Sequence, residues 1–298
     1  MLPAFRIAML LVAGATSVVV AAEPVAFEPL PKFPSLPAEM ELGPCSAVAV
    51  NSQGEIFLFN RGKRPIIAFD KEGKYLRSWG EQEIVSSHGL RVDRDDNLWA
   101  TDWQGHRVVK YDSQGKVLLA LGDGKPGASD HQFNQPTDVA FGPKGEFYVS
   151  DGYGNSRVLK FSPSGALITK WGTKGTKAGE FHLPHAIVVD GKGRVLVGDR
   201  ENNRIQVFDA DGKFLEMWRG FAPYGIAVSA QGEIFVADGR THRVLQLNEK
   251  GAVVQRIGSK GTQPGRFQLP HMLTVDGEGN LLIAEVEGKR VQKLVRKK

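Results

Sequence analysis

Residues 183–190 read LPHAIVVD. Ile187, Val188 and Val189 follow a proline and run into an acidic turn, which predicts a short strand, with His185 at its mouth. The phrase returns as LPHMLTVD at 269–276 and, loosened, as SSHGLRVD at 86–93, so the strand belongs to a repeat. Laid over one another, six copies share a four-strand phrase with glycine turns and a period of about 40–50 residues. Their second strands read EIFLFN, NLWATD, EFYVSD, RVLVGD, EIFVAD and NLLIAE. Short strands with regular turns at that period predict an all-β fold, a six-bladed β-propeller with one four-stranded blade per repeat.

The ends complete this picture. The sixth copy runs out after its third strand, so a strand from the proline-rich lead-in, residues 23–44, is expected to close the ring and cover the open edges, with the propeller spanning 45–298. Residues 1–22 read as a signal peptide: Arg6 precedes an apolar run from Ile7 to Ala22 that ends in small residues. A secreted or periplasmic protein is therefore expected, with no membrane span after cleavage. The chain has one cysteine, Cys45, so no internal disulfide is available, and Cys45 is expected in the core. The net charge of +5 is spread without basic runs, which speaks against a nucleic-acid partner.

Repeats supply an internal control, because a residue type found in only some blades at one register is a candidate for function. Counting fourteen residues back from Asn60, Asp102, Asp151, Asp199, Asp238 and Glu285 lands on Ser46, His88, Thr137, His185, Tyr224 and His271. The histidines occupy blades two, four and six, a third of a turn apart, on the strand nearest the axis. Three imidazoles converging without cysteine or carboxylate match a catalytic zinc site with an open fourth position, with iron or another transition metal as alternatives. Directly after the second strands the register reads Arg61, Trp103, Gly152, Arg200, Gly239 and Val286. Arg61 and Arg200 face each other across the axis and suit a substrate carboxylate, and Tyr153 is a candidate general base. The strand-ending Asp, Asn and Glu residues read as turn and strand-end chemistry.

The loops GTKGTKAGEFHLP (172–184) and GSKGTQPGRFQLP (258–270) resemble links between NHL repeats, a family of six-bladed propellers. DGYGNSR, LPHAIVVD and GDRENNRI further resemble the peptidylglycine α-amidating lyase family, and the likeness runs over roughly residues 45–298. That resemblance implies that His88, His185 and His271 bind zinc, that Tyr153 is the catalytic tyrosine, and that Arg61 and Arg200 are active-site arginines. It also implies a calcium held by the carbonyls of Val48 and Leu90 and by an Asp after the third histidine. That last position is Met272, which argues against calcium, and Gly154 stands where the animal lyases have a disulfide cysteine. The expected function is a metal-dependent lyase that cleaves an N-acyl-α-hydroxyglycine-like small molecule or peptide into an amide and glyoxylate. The alternative is a non-catalytic NHL propeller binding a protein or cell-envelope partner.

Overall fold

A computed structural model describes residues 24–297, so the expected signal peptide lies outside the described residues. Six four-stranded antiparallel sheets follow one another around an axis. Their innermost strands are Cys45–Val50, Ser87–Val92, Pro136–Phe141, Pro184–Val189, Pro223–Val228 and Pro270–Val275. The last blade is completed from the other end of the chain: Phe27–Pro29 pairs with Arg290–Arg296, Phe27 opposite Arg296.

Side-chain burial explains why the second strands read as near-continuous apolar runs instead of alternating. Ile56–Asn60 and Val195–Asp199 are buried at every position, since blades pack on both of their faces. Outer strands such as Leu167–Trp171 face neighbours on one side only and alternate. The apolar core is divided among the six seams between blades. One cluster joins Ala47, Phe57 and Ile66 of blade one to Leu90, Leu98 and Tyr111 of blade two. Another joins Leu282, Ala284 and Val291 of blade six to Cys45 and Leu58 of blade one, and Met40 and Phe33 of the lead-in pack on it. Cys45 is fully buried there, and burial pushes its thiol far above the ordinary value.

The acidic residues that end the second strands hold the fold together. Asp199, with no exposed surface, accepts from the backbone N–H groups of His182 and Leu183 and pairs with the buried Arg204 at 2.8 Å. Asp151 with Arg157 and Glu285 with Arg290 repeat the pattern in blades three and six. A buried carboxylate needs such partners, and the Arg at the start of the third strand supplies one.

Candidate metal centre

The residues of the histidine register share a local peculiarity. In blade four Pro184 pairs with Asp199 and Ala186 with Gly198, so His185 stands unpaired between them as a β-bulge. The same irregularity falls at Ser46, Thr137 and Tyr224, and in blades two and six it spans His88–Gly89 and His271–Met272. A bulge re-aims a side chain out of the ladder. Here it turns one residue of each innermost strand toward the axis.

The three imidazoles meet there, with one nitrogen of each within 4.8 Å of the others and His88 Nε2 3.2 Å from His185 Nε2. The opposite ring nitrogens all lie 2.7 Å from backbone carbonyls: His88 Nδ1 from Thr137, His185 Nδ1 from Tyr224, and His271 Nδ1 from Ser46. Each acceptor is the bulge residue of the next blade around the ring. Only a protonated Nδ1 can bond a carbonyl, so each Nε2 of a neutral ring presents a lone pair to the axis. Burial, aided by positive neighbours, keeps the rings neutral: His88 and His185 are held well below the ordinary imidazole value, and His271 is taken down to about 3. Two lone pairs 3.2 Å apart repel unless a cation lies between them. Two nitrogens bound tetrahedrally at about 2.0–2.1 Å from zinc stand roughly 3.4 Å apart. The donor set and spacing therefore fit a transition metal.

The remaining candidates rim this cluster. Tyr153 Oη is 3.2 Å from His88 Nε2 and 3.1 Å from His185 Nε2. Arg200 Nη1 donates to that oxygen at 3.2 Å, and the guanidinium lies over both the Tyr153 and Tyr224 rings. Its charge is shared with Glu201, which accepts from Arg200 Nε at 2.9 Å and also pairs with Arg240. Burial lowers the Arg200 guanidinium, but the phenols of Tyr153 and Tyr224 and the Glu201 carboxylate outweigh it, and the net shift is upward. Arg61 differs. It donates through Nε to the Ser87 carbonyl at 3.1 Å and lies over Trp103, and none of the described carboxylates pairs with it. Burial pulls its value down, partly countered by the Tyr153 phenol. Arg61 is thus the guanidinium with hydrogen-bonding capacity in hand for an anion.

Tyr224 and Trp103 were legible only as members of their registers. Tyr224 packs against His185 and His271, with ring centroids 5.4 and 5.9 Å away, and Trp103 stacks near Tyr153 at 5.2 Å. The signal for Tyr224 was its place in the same column as the histidines. Two of the other histidines have a purely structural place: His106 and His242 accept the backbone N–H groups of Gln135 and Leu269 through Nδ1.

The NHL repeat family matches residues 133–161, 181–208 and 223–247. The chain is 34% identical to the human protein named NHL repeat-containing protein 3, over 89% of this chain and 82% of that one. It is 30% identical to peptidyl-alpha-hydroxyglycine alpha-amidating lyase 1 of Drosophila melanogaster, over 87% of this chain and 58% of that one. It is 29% identical to peptidyl-glycine alpha-amidating monooxygenase B of Xenopus laevis, over 85% of this chain and 34% of that one. The chain thus spans about a third of the length of that monooxygenase. Among solved structures a streptogramin B lyase superposes with a TM-score of 0.66 at 15% identity, covering 91% of this chain and 98% of that one, a likeness of fold alone.

Proposed function

Since the chain belongs to the NHL-repeat family of propeller proteins, and carries three converging imidazoles beside a phenol and an unpaired guanidinium, we propose that it is a metal-dependent lyase. Its substrate class would be N-acyl-α-hydroxyglycines, split into an amide and glyoxylate. The observation that carries the reading is the convergence of three imidazoles on one point, with Nε2 of His88 and of His185 3.2 and 3.1 Å from Tyr153 Oη, for which a protein that only binds a partner has no use. Similarity to proteins named as amidating lyases supports it. Zinc is the leading metal, held by His88, His185 and His271, and when bound it would supply Lewis acidity toward the substrate's oxygens.

The chain's own groups divide the remaining work. Arg61 receives the substrate carboxylate, because its guanidinium lacks the carboxylate neighbour that Arg200 has. Tyr153, acting as its phenolate, takes the hydroxyl proton at Oη and becomes the phenol. As that proton leaves, the O–H electron pair forms the C=O bond of glyoxylate, the C–N bond breaks, and the departing nitrogen takes up a proton to become the amide. Arg200 sets a positive charge against Oη at 3.2 Å while the oxygen holds negative charge. Export is part of the proposal and rests on the apolar run from Ile7 to Ala22.

The second reading, a non-catalytic propeller that docks a protein or cell-envelope partner, is favoured by the 34% identity to NHL repeat-containing protein 3, whose name assigns no reaction. Glyoxylate release separates the two. Zinc-loaded protein should convert an N-acyl-α-hydroxyglycine and stop when a chelator is added. If metal is bound and several such compounds yield no glyoxylate above the metal-free control, the lyase reading gives way to the docking one.

A further inference from the structure

The calcium implied by the resemblance to amidating lyases does not fit this chain. Calcium takes hard oxygen ligands, and the position of the expected carboxylate is a thioether, Met272. Beside that sulfur lies a positive charge of the protein's own, with Arg91 Nη2 4.0 Å from Met272 Sδ. Arg91 and Val48, one of the expected carbonyl donors, line the same channel cavity of about 210 Å³.

The guanidinium is held from several directions. Arg91 Nε and Nη2 donate to the two carboxylate oxygens of Asp138 at 2.9 and 2.6 Å, and Nη2 also donates to the Ile226 carbonyl at 3.0 Å. Asp138, with a wholly buried side chain, further accepts the backbone N–H groups of Val139 and Ile187 at 2.9 and 3.1 Å. One ion pair therefore reaches from blade two into blades three, four, five and six. It also touches the metal centre through the chain: Arg91 follows His88 on one strand, and Asp138 follows Thr137, whose carbonyl holds His88 Nδ1. Each is the one charged residue in its register across the six innermost strands: Ala49, Ala140, Val188, Ala227 and Thr274 share Arg91's, and Ala47, Gly89, Ala186, Gly225 and Met272 share Asp138's.

We propose that Arg91, locked by Asp138, is a built-in cation that replaces bound calcium at the centre of the propeller and positions the histidine cluster. The protein is then calcium-independent. Loss of the guanidinium leaves a buried carboxylate unpaired and loosens the Thr137 carbonyl on His88, whereas removing both charges together relieves that penalty.

The test reads thermal unfolding and zinc affinity, so its failure is separate from failure of the lyase reading. Excess calcium chloride should leave the Tm of zinc-loaded wild type unchanged. Arg91→Met should lower Tm by about 10 °C, and zinc affinity, measured by chelator competition below the transition, should fall roughly 10–100-fold. The double variant Arg91→Met, Asp138→Asn should regain part of both. Should Arg91→Met not fold, Arg91→Lys, which keeps the charge but loses the two-pronged contact, should show a smaller loss of both quantities. Arg91→Ser combined with Met272→Asp should make Tm rise on adding calcium. The proposal is overturned if calcium raises the Tm of wild type, if neither Arg91→Met nor Arg91→Lys changes Tm and zinc affinity, or if the Ser, Asp double variant ignores calcium.

Discussion

His271 and Ser46 stand 225 residues apart in the chain and are joined across the final seam of the ring, the imidazole Nδ1 donating to the serine carbonyl at 2.7 Å. The third candidate ligand is therefore aimed by the first blade. Orientation of the metal centre and closure of the propeller are one structural problem.

Deleting residues 24–41 should test that coupling. The deletion removes the strand Phe27–Pro29 and the packing of Phe33 and Met40 on the seam between blades six and one, and leaves Arg290–Arg296 as an open edge. With about 1.5–3 kcal/mol for each large apolar side chain returned to water, Tm should fall by roughly 10 °C or more. Trimming residues 297–298 should change it little. A deletion variant that melts with the full chain would show that the ring closes without this strand.

Metal content gives the next prediction. Purified protein loaded with zinc and dialysed should retain about one ion per chain, and His88→Ala, His185→Ala or His271→Ala should each retain far less while keeping the far-UV signature of the fold. Gly89→Ala should also weaken binding, because a Cβ at Gly89 would lie 2.5 Å from the Thr137 carbonyl that fixes His88. Wild type that holds no zinc after dialysis would remove the metal centre altogether.

The pH dependence of the metal-free protein has a definite sign. His88, His185 and His271 all have folded values below the roughly 6.5 expected in the unfolded chain, chiefly through burial. The unfolded chain thus binds more protons at acidic pH, and stability rises with pH. The contribution is complete above about pH 7 and is lost as pH falls below about 6.5, at up to about 1.4 kcal/mol per pH unit for each histidine. For His271 the loss continues to its folded value of about 3. Unfolding curves between about pH 8 and pH 5 should show this decline, and replacing the three histidines with Gln should flatten it. Equal slopes in the two proteins would mean that other groups control the acid response.

Substitutions at the rim should differ in kind. Tyr153→Phe keeps the ring on Trp103 and His88 but loses the oxygen between the imidazoles, so kcat should fall by about 10²–10⁴ with KM little changed. Arg61→Ala should act mainly on KM, as the loss of a carboxylate partner. Arg200→Ala should resemble the tyrosine variant, since Arg200 bonds Tyr153 Oη and is already paired with Glu201. Initial rates of glyoxylate formation by metal-loaded variants decide the matter, and a Tyr153→Phe enzyme with undiminished kcat would exclude the phenol as base.

Everything that repeats in this chain can be read from its residues alone. A propeller applies one local rule six times, so strand order, turn chemistry and the buried second strands are legible as a period, and a candidate functional register such as His88, His185 and His271 emerges as a departure from that period. Contacts between repeats emerge only in the folded ring. That each histidine leans on the next blade's carbonyl, that Arg200 reaches Tyr153 Oη, and that Tyr224 lies under Arg200 are facts of residues meeting between blades. Arg91 and Asp138 are each the one charged residue of their register, yet only the fold brings them within 2.6 Å of each other. The physical reason is geometric: spacing along the chain sets a residue's height and blade, while the distance between side chains of different blades is set at the axis, where bulges, ring closure and packing together place each atom.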